Sequence, residues 1–301
     1  MTNNSNPVMK WVYLFVLALV WGSSFILMKR GIEHYTPNQV AAIRMFVSML
    51  ALLPVVFNKL KEIEQKNWKY VIGTGLLGNC IPAYLFTNAE TGISSSMAGM
   101  LNSLTSVFTI LVGFMFFGSR FTTRQITGVF IGLLGATFLI YLSTNDEQSS
   151  APALGLLIVL ACVGYAFSVN ILKHKLSHLS SITVTGGALI VAGIPSCMYL
   201  FSTDFLERMP QPGGINSLVY VLILGLMGTA FSTLIFNKLI RIASPVFASS
   251  VTYLIPFMAA VWGIYDGETF TMLYVLALAI ILSGIWLINY KPKQNKNAEQ
   301  H

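Results

Sequence analysis

The sequence predicts an all-α integral membrane protein of ten transmembrane helices, arranged as two inverted repeats of five. Three observations predict it. Of the 301 residues, 55% are hydrophobic and only 10% charged, against about 25% charged in soluble domains. Ten mostly apolar runs follow one another, each close to the roughly 20 residues a spanning helix needs. Read as spans, they leave 14 of the 18 Lys and Arg on one side, a bias independent of the hydrophobicity that drew the runs. Backbone polar groups must be satisfied internally in lipid, so the runs are helices rather than strands.

The first run, 11–28, follows one charge, Lys10, and lacks a small-x-small cleavage site. It reads as a membrane anchor rather than a signal peptide. The second, 37–57, holds Arg44, the deepest charge, about 10 Å into its helix at about 1.5 Å per residue. The third, 68–88, carries Asn79 and Tyr84 and is interrupted by Pro82. The fourth, 94–117, shows the stripe Ala98, Asn102, Thr105 and Thr109. The fifth, 124–142, has Gly128-x3-Gly132 and Gly132-x3-Ala136. The sixth, 151–172, holds Tyr165, and the seventh, 181–201, places Gly187 where the second has Arg44. The eighth, 216–237, carries Thr229, Ser232, Thr233, Phe236 and Asn237. The ninth, 244–264, has Ser249, Thr252, Tyr253, Pro256, Ala260 and Gly263. The tenth, 271–289, has Ala279-x3-Ser283 followed by Gly284. The small-residue faces of the fifth and tenth allow close helix contact. We read them as packing within a monomer, with dimerisation as the alternative.

Lys10, Lys59, Lys61, Lys66, Lys69, Arg120, Arg124, Lys173, Lys175, Lys238, Arg241, Lys291, Lys293 and Lys296 share one side. Lys29, Arg30, Arg44 and Arg208 lie on the other, with eight of the eleven acids. The positive-inside rule then puts both termini in the cytoplasm. The basic residues are spread in ones and twos at helix ends, which argues against nucleic acid as a partner. The loops are mostly under a dozen residues, too short for a ligand-binding or catalytic domain outside the bilayer. Cys80, Cys162 and Cys197 lie in apolar runs as small buried hydrophobes without metal spacing.

The chain repeats itself. At a shift of 150, Gly75-Leu76 with Gly78 falls on Gly225-Leu226 with Gly228, Phe86 on Phe236, Ala98 on Ala248, Leu104 on Leu254 and Gly113 on Gly263. After a one-residue slip, Gly118-Ser119-Arg120-Phe121-Thr122 falls on Gly267-Glu268-Thr269-Phe270-Thr271, and Gly135 on Gly284. The first and sixth spans match at 142, Gly22 on Gly164 and Phe25 on Phe167. The copies are residues 1–145 and 146–290, with 291–301 as a polar cytoplasmic tail. Five spans is an odd number, so the second copy enters the membrane the other way up. Such inverted repeats build a site at the midplane and exchange outward-open with inward-open states.

Trp21-Gly22-Ser23-Ser24-Phe25 in the first span, Pro37 opening the second with Arg44 seven residues on, and Gly-Glu-Thr-Phe-Thr at 267–271 resemble the EamA-type branch of the drug/metabolite transporter superfamily. The resemblance covers the whole chain as two five-helix repeats. It implies a ten-helix exporter of amino acids or other small metabolites from the bacterial cytoplasm, resident in the inner membrane. One departure is visible: the first hairpin has Ser119 where the family usually carries an acid. The two hairpins therefore need not share a role.

Polar residues at mid-span are costly in lipid and face the bundle interior. The stripes on the third, fourth, eighth and ninth spans occupy equivalent places in the two halves. They predict a shared substrate cavity lined by Trp21, Asn79, Tyr84, Asn102, Thr105, Tyr165, Thr229, Ser232, Thr252 and Tyr253. The alternative for the Ser, Thr and Asn residues is interhelical hydrogen bonding. Pro82 and Pro256 each free a carbonyl one turn back and are candidate hinges, or kinks that serve packing. Arg44 and Glu90 are expected at the outer mouth, Arg44 either reaching the headgroups or pairing with Glu90 or a substrate carboxylate.

No Asp, Glu or His lies in the middle of a span, so neither a carboxylate relay nor a catalytic pair is written in the membrane. No Gly-x4-Gly-Lys-Ser/Thr loop occurs, so ATP is not the direct driver. No metal and no cofactor is expected. A cavity without an acid suits a neutral, zwitterionic or weakly anionic solute. The expectation is a secondary transporter of small organic metabolites with no catalytic residues. The alternatives are an intramembrane enzyme or lipid-binding protein, or a passive channel.

Overall fold

The computed structural model describes residues 7–119, 122–143, 152–242, 251–268 and 271–290. Arg120, Phe121, Asp146, Glu147, Ala248, Ser249, Thr269, Phe270 and the tail from residue 291 lie outside them. Among the described residues every regular element is helical. In chain order these are α1 (Pro7–Ile32), α2 (Pro37–Val56), α3 (Trp68–Gly75), α4 (Ile81–Ala89), α5 (Ser95–Asn102), α6 (Leu104–Phe117) and α7 (Thr123–Ser143). Then come α8 (Pro152–Lys175), α9 (Ser181–Phe201), α10 (Phe205–Arg208), α11 (Gly214–Ile223), α12 (Ser232–Ile242), α13 (Val251–Tyr265) and α14 (Met272–Asn289). Among the described residues seven helical rods are long and apolar enough to cross a membrane, and Val251–Tyr265 and Met272–Ile288 are shorter apolar helices.

The helix starts follow from the residues before them. Thr36 caps α2 reciprocally with Gln39: Gln39 N–H donates to Thr36 Oγ1 at 3.3 Å, and Thr36 N–H to Gln39 Oε1 at 3.0 Å. Ser94 accepts from Met97 N–H at 3.3 Å and Ser180 from Thr183 N–H at 3.0 Å, so α5 and α9 begin the same way.

The run expected at 68–88 is helical from Trp68 to Ala89, but its middle, Leu76–Cys80, winds as a π-helix. Pro82 accounts for the change. It has no N–H for the carbonyl one turn back and its ring crowds that turn, and the ladder slips to i−5, with Ile81 N–H on Leu76 O. A second π segment, Leu224–Phe231, joins α11 to α12. It contains no proline, and Ser232 closes it, its backbone N–H on Met227 O and its hydroxyl on the same oxygen at 2.6 Å. Pro256, expected to interrupt the ninth span, lies inside an unbroken α13. The fourth span breaks instead at Ser103, whose hydroxyl bonds Met100 O at 2.7 Å and so competes for the local backbone.

The most extensive packing is α7 on α14, followed by α2 on α9. Next come α6 on α8 and α1 on α13, then α5 on α13 and α4 on α8. α2 packs on the Leu224–Phe231 segment, and α3 on α9. The small faces of the fifth and tenth runs explain the first contact. A Cβ at Gly284 would stand 2.6 Å from the Gly128 carbonyl and the Gly132 nitrogen, so the two backbones touch. The largest apolar core runs through the bundle centre, from Leu17 of α1 through Met97 and Leu104 to Ile281 of α14. Large apolar side chains such as Met115, Phe130, Leu134, Met198 and Met272 are left on the outside, as in a bundle bathed by lipid.

Candidate functional site

A cavity of about 200 Å³ opens in the bundle, walled by α1, α2, α3, α4, α5, α6, α8, α9, α12, α13 and the two π segments. Its lining recurs at fixed spacings. At a shift of 150, Gly78 pairs with Gly228, Asn79 with Thr229, Phe86 with Phe236, Asn102 with Thr252 and Thr105 with Ile255. At a shift of 144, Trp21 pairs with Tyr165, Ser24 with Ser168, Phe25 with Val169 and Met28 with Leu172. The match at 142 is thus two residues out of the register in which α1 and α8 face the cavity. Positions two apart on a helix point some 200° apart, so the slip matters.

Of the ten residues expected to line the cavity, seven do: Trp21, Asn79, Asn102, Thr105, Tyr165, Thr229 and Thr252. Trp21 donates from Nε1 to the Gly228 carbonyl in the second π segment at 3.1 Å, and its ring meets Phe236 at 5.1 Å between centroids. Asn79 turns back on the first π segment, donating to Thr74 O at 3.2 Å. Thr252 shares a hydroxyl contact with Ser106 at 3.0 Å. Thr105 Oγ1 is buried without a hydrogen-bond partner.

Tyr84, Ser232 and Tyr253 are not among the residues of this wall. Tyr84 points away from the cavity toward α9, its hydroxyl 3.4 Å from Ser196 Oγ and its ring edge-on to Tyr199. Ser232 is spent on the Met227 carbonyl. Tyr253 packs on the central core. Helical spacing alone does not tell which of two adjacent polar residues faces the cavity, and at 252–253 it is Thr252. The structure adds Gly78, Ser168, Thr185, Thr233 and Asn237 to the wall. Asn237 donates to Thr185 Oγ1 at 2.7 Å. The eighth-span stripe signalled Thr233 and Asn237; nothing in the sequence marked Thr185. Pro82 sits beside the wall, close to where a Cβ on Gly164 would stand.

Arg44 is the charged side chain among the lining residues. It is 9% exposed, so it does not reach the surface at the outer mouth as expected. The second π segment and α1 lie against it: Nε donates to Thr229 Oγ1 at 2.7 Å, and Nη1 lies 3.7 Å from Met28 Sδ. The expected pairing with Glu90 is not made: no ion pair of Arg44 is present among the described residues. Glu90 is buried at the end of α4, and neither carboxylate oxygen has a hydrogen-bond partner.

The end of the bundle near Glu90 is tied by charges. Glu268, 2% exposed at its side chain, accepts from Ser95 N–H at 2.8 Å, Ser96 N–H at 3.0 Å and Ser96 Oγ at 2.7 Å. These are donors of the first turn of α5 that the helix itself leaves unused. Lys29 Nζ stands 3.1 Å from Glu268 and 2.6 Å from Asp266, and Arg30 also pairs with Asp266. Gly267, at φ +79°, turns the chain so that Glu268 N–H reaches Gly263 O at 2.9 Å. The other hairpin also turns on a positive-φ glycine, Gly118 at φ +67°, but is one residue longer, with Ser119 N–H on Gly113 O at 3.0 Å. It lacks the carboxylate. Away from the bundle interior, the Arg208 guanidinium and the Gln39 amide beside Asp204 hold that carboxyl below its usual range.

The model of the EamA-like transporter family matches residues 9–141 and 154–290. An uncharacterized transporter of Archaeoglobus fulgidus is 26% identical over 281 residues, covering 93% of this chain and 98% of that protein. The uncharacterized inner membrane transporter YedA of Escherichia coli (strain K12) is 24% identical, over 91% of this chain and 89% of its own length. A probable amino-acid metabolite efflux pump of Salmonella typhimurium is 22% identical, over 90% and 92%. A crystal structure with a TM-score of 0.61 and 16% identity covers 93% of this chain and 96% of its own, and shares the fold.

Proposed function

The chain belongs to the EamA-like transporter family, and on that premise we propose that it carries small organic metabolites such as amino acids outward across the bacterial inner membrane by alternating access. The observation that carries this reading is the paired lining of the cavity, in which ten positions of one half, Arg44 on Ala188 included, correspond to ten positions of the other. Two five-helix copies of opposite orientation, residues 1–145 and 146–290, account for it.

The packing supports the same symmetry. Exchanging the copies turns the contact of α1 with α13 into that of α8 with α6, and the contact of α2 with Leu224–Phe231 into that of α9 with the third span. The contacts of α7 with α14 and of α2 with α9 map onto themselves. A bundle with such exchangeable halves has two arrangements of similar energy, one opening the cavity to each side. The π segments lie on the cavity wall in both halves, where a helix ladder is easiest to rewind. Relatives named as amino-acid metabolite efflux pumps point to amino acids as cargo and to export as direction. The charge bias predicts cytoplasmic termini, which puts the Lys29–Glu268 network on the outer side.

Reconstituted protein is expected to catalyse saturable counterflow of at least one amino acid in liposomes, accelerated by unlabelled solute on the far side. Flux that rises linearly with concentration and ignores solute on the far side would mark a channel and end the alternating-access reading.

A further inference from the structure

We propose that Arg44 is the anion-binding residue of the central cavity and that the solute it receives carries a carboxylate. The proposal rests on the transport reading above and names its substrate class. A guanidinium has five N–H donors in a planar fork. In Arg44 the structure uses one on the Thr229 hydroxyl and sets another at 3.7 Å from a thioether, itself a weak acceptor. No carboxylate of the described residues lies within ion-pair distance. The residue is nine-tenths buried and lies on the cavity wall.

A buried cation without an ion pair is costly, and it is kept where something pairs with it. Here the unfilled donors belong to the cavity, and a bound anion supplies the missing charge. The wall favours a carboxylate over a phosphate ester. Among the described residues of the wall Arg44 is the one charged side chain, which balances a single negative charge and leaves a dianion half compensated. A carboxylate also matches the guanidinium fork with two parallel hydrogen bonds. The unpartnered Thr105 hydroxyl on the same wall offers a further neutral donor. The rest of the solute meets Trp21, Phe86 and Phe236, and therefore an apolar body. An ammonium group, where present, finds neutral oxygens rather than an acid, so the carboxylate dominates recognition.

The test sets each of the twenty L-amino acids beside its carboxamide, in thermal-shift binding to the purified protein and in liposome counterflow. The wild-type protein is expected to prefer the carboxylate of an accepted pair by about 10- to 100-fold, the effect of one or two charge-assisted hydrogen bonds. Arg44→Gln should erase that preference, and Arg44→Lys should restore part of it, since an ammonium keeps the charge but loses the fork. Should Arg44→Gln fail to fold, the wild-type comparison still decides. Counterflow of amides equal to that of their acids overturns the carboxylate assignment and leaves the transporter standing. No counterflow of any member of the panel removes both.

Discussion

Glu268→Gln isolates the charge that ties one end of the bundle together, because it changes one oxygen to an NH₂ at constant shape. In the native protein Oε1 accepts from Ser95 N–H and Lys29, and Oε2 accepts from Ser96 N–H and Ser96 Oγ. Glutamine keeps one oxygen. Whichever way the amide turns, its NH₂ faces donors where the carboxylate accepted. With the oxygen left on Ser95, the two groups of Ser96 lose their acceptor, although its hydroxyl is free to rotate. A buried donor left unsatisfied costs about 1–3 kcal/mol. Lys29 is 36% exposed and keeps Asp266 at 2.6 Å, so the lost ion pair adds little to that, and the expected loss is about 1–3 kcal/mol. At about 2 °C per kcal/mol for a large chain, the thermal transition in detergent should fall by about 2–6 °C. Lys29→Met should cost less alone, because Lys29 is more than a third exposed while Glu268 is not. The double variant should fall short of the sum of the two. A transition for Glu268→Gln within about 1 °C of wild type would refute the claim that this carboxylate fastens α5 to the 266–268 turn.

Gly284→Ala should lower the transition as well. Its Cβ meets backbone atoms of Gly128 and Gly132 at 2.6 Å, which cannot yield as a side chain does, and overpacking of this kind costs about 1–3 kcal/mol; a wild-type transition would remove the close α7–α14 contact. Trp21→Phe keeps an aromatic wall but removes the donor to the Gly228 carbonyl, and should slow counterflow several-fold at unchanged membrane abundance; unchanged flux would show that the bond is not used in the cycle. Asp204 titrates below its ordinary value of 3.8 because Arg208 and Gln39 favour its charged form. A depressed carboxyl adds stability above the unfolded-state value and loses it as pH falls through the folded-state one. The stability gap between wild type and Asp204→Asn should therefore be steady near neutrality and close as pH drops below about 4; a gap independent of pH would show that the pairing with Arg208 does not act through charge.

Much of the helical fold was legible because lipid simplifies the code. Runs of apolar residues near the spanning length became helices at nearly the expected places, and Pro82 marked the first π segment. The second π segment and the break at Ser103 were not legible. Neither has a proline, and both depend on side-chain hydroxyls finding carbonyls, which a sequence does not order in space. The cavity was legible to the helix but not always to the face. Asn79, Asn102 and Thr229 stand at the wall, whereas Tyr84 and Ser232 are turned to α9 and to the backbone. Arg44 was the largest misplacement. Hydropathy treats a charge seven residues from a helix end as one that seeks water, and it has no means to see a Thr229 hydroxyl waiting across the bundle.

The two halves agree where shape is at stake and differ where charge is. Glycine corresponds to glycine at 78 and 228, and phenylalanine to phenylalanine at 86 and 236, all on the cavity wall. In the register of 144, Arg44 falls on Ala188, also on the wall and uncharged. At the hairpins, Glu268 falls on Ser119, each following a glycine at positive φ. Under the two-copy reading, a strictly symmetric pair would make the inward-open and outward-open states equal in energy. A carboxylate network on one hairpin and none on the other adds its stabilisation to whichever state closes the Lys29 end. Glu268→Gln therefore bears on transport as well as stability. A protein that rests with that end shut should, on losing the network, give a cysteine placed at position 28 on the cavity wall greater reactivity toward an impermeant reagent added from that side. Unchanged labelling, with the thermal transition lowered as expected, would confine the network to holding the fold and leave the balance between the two states to be set elsewhere.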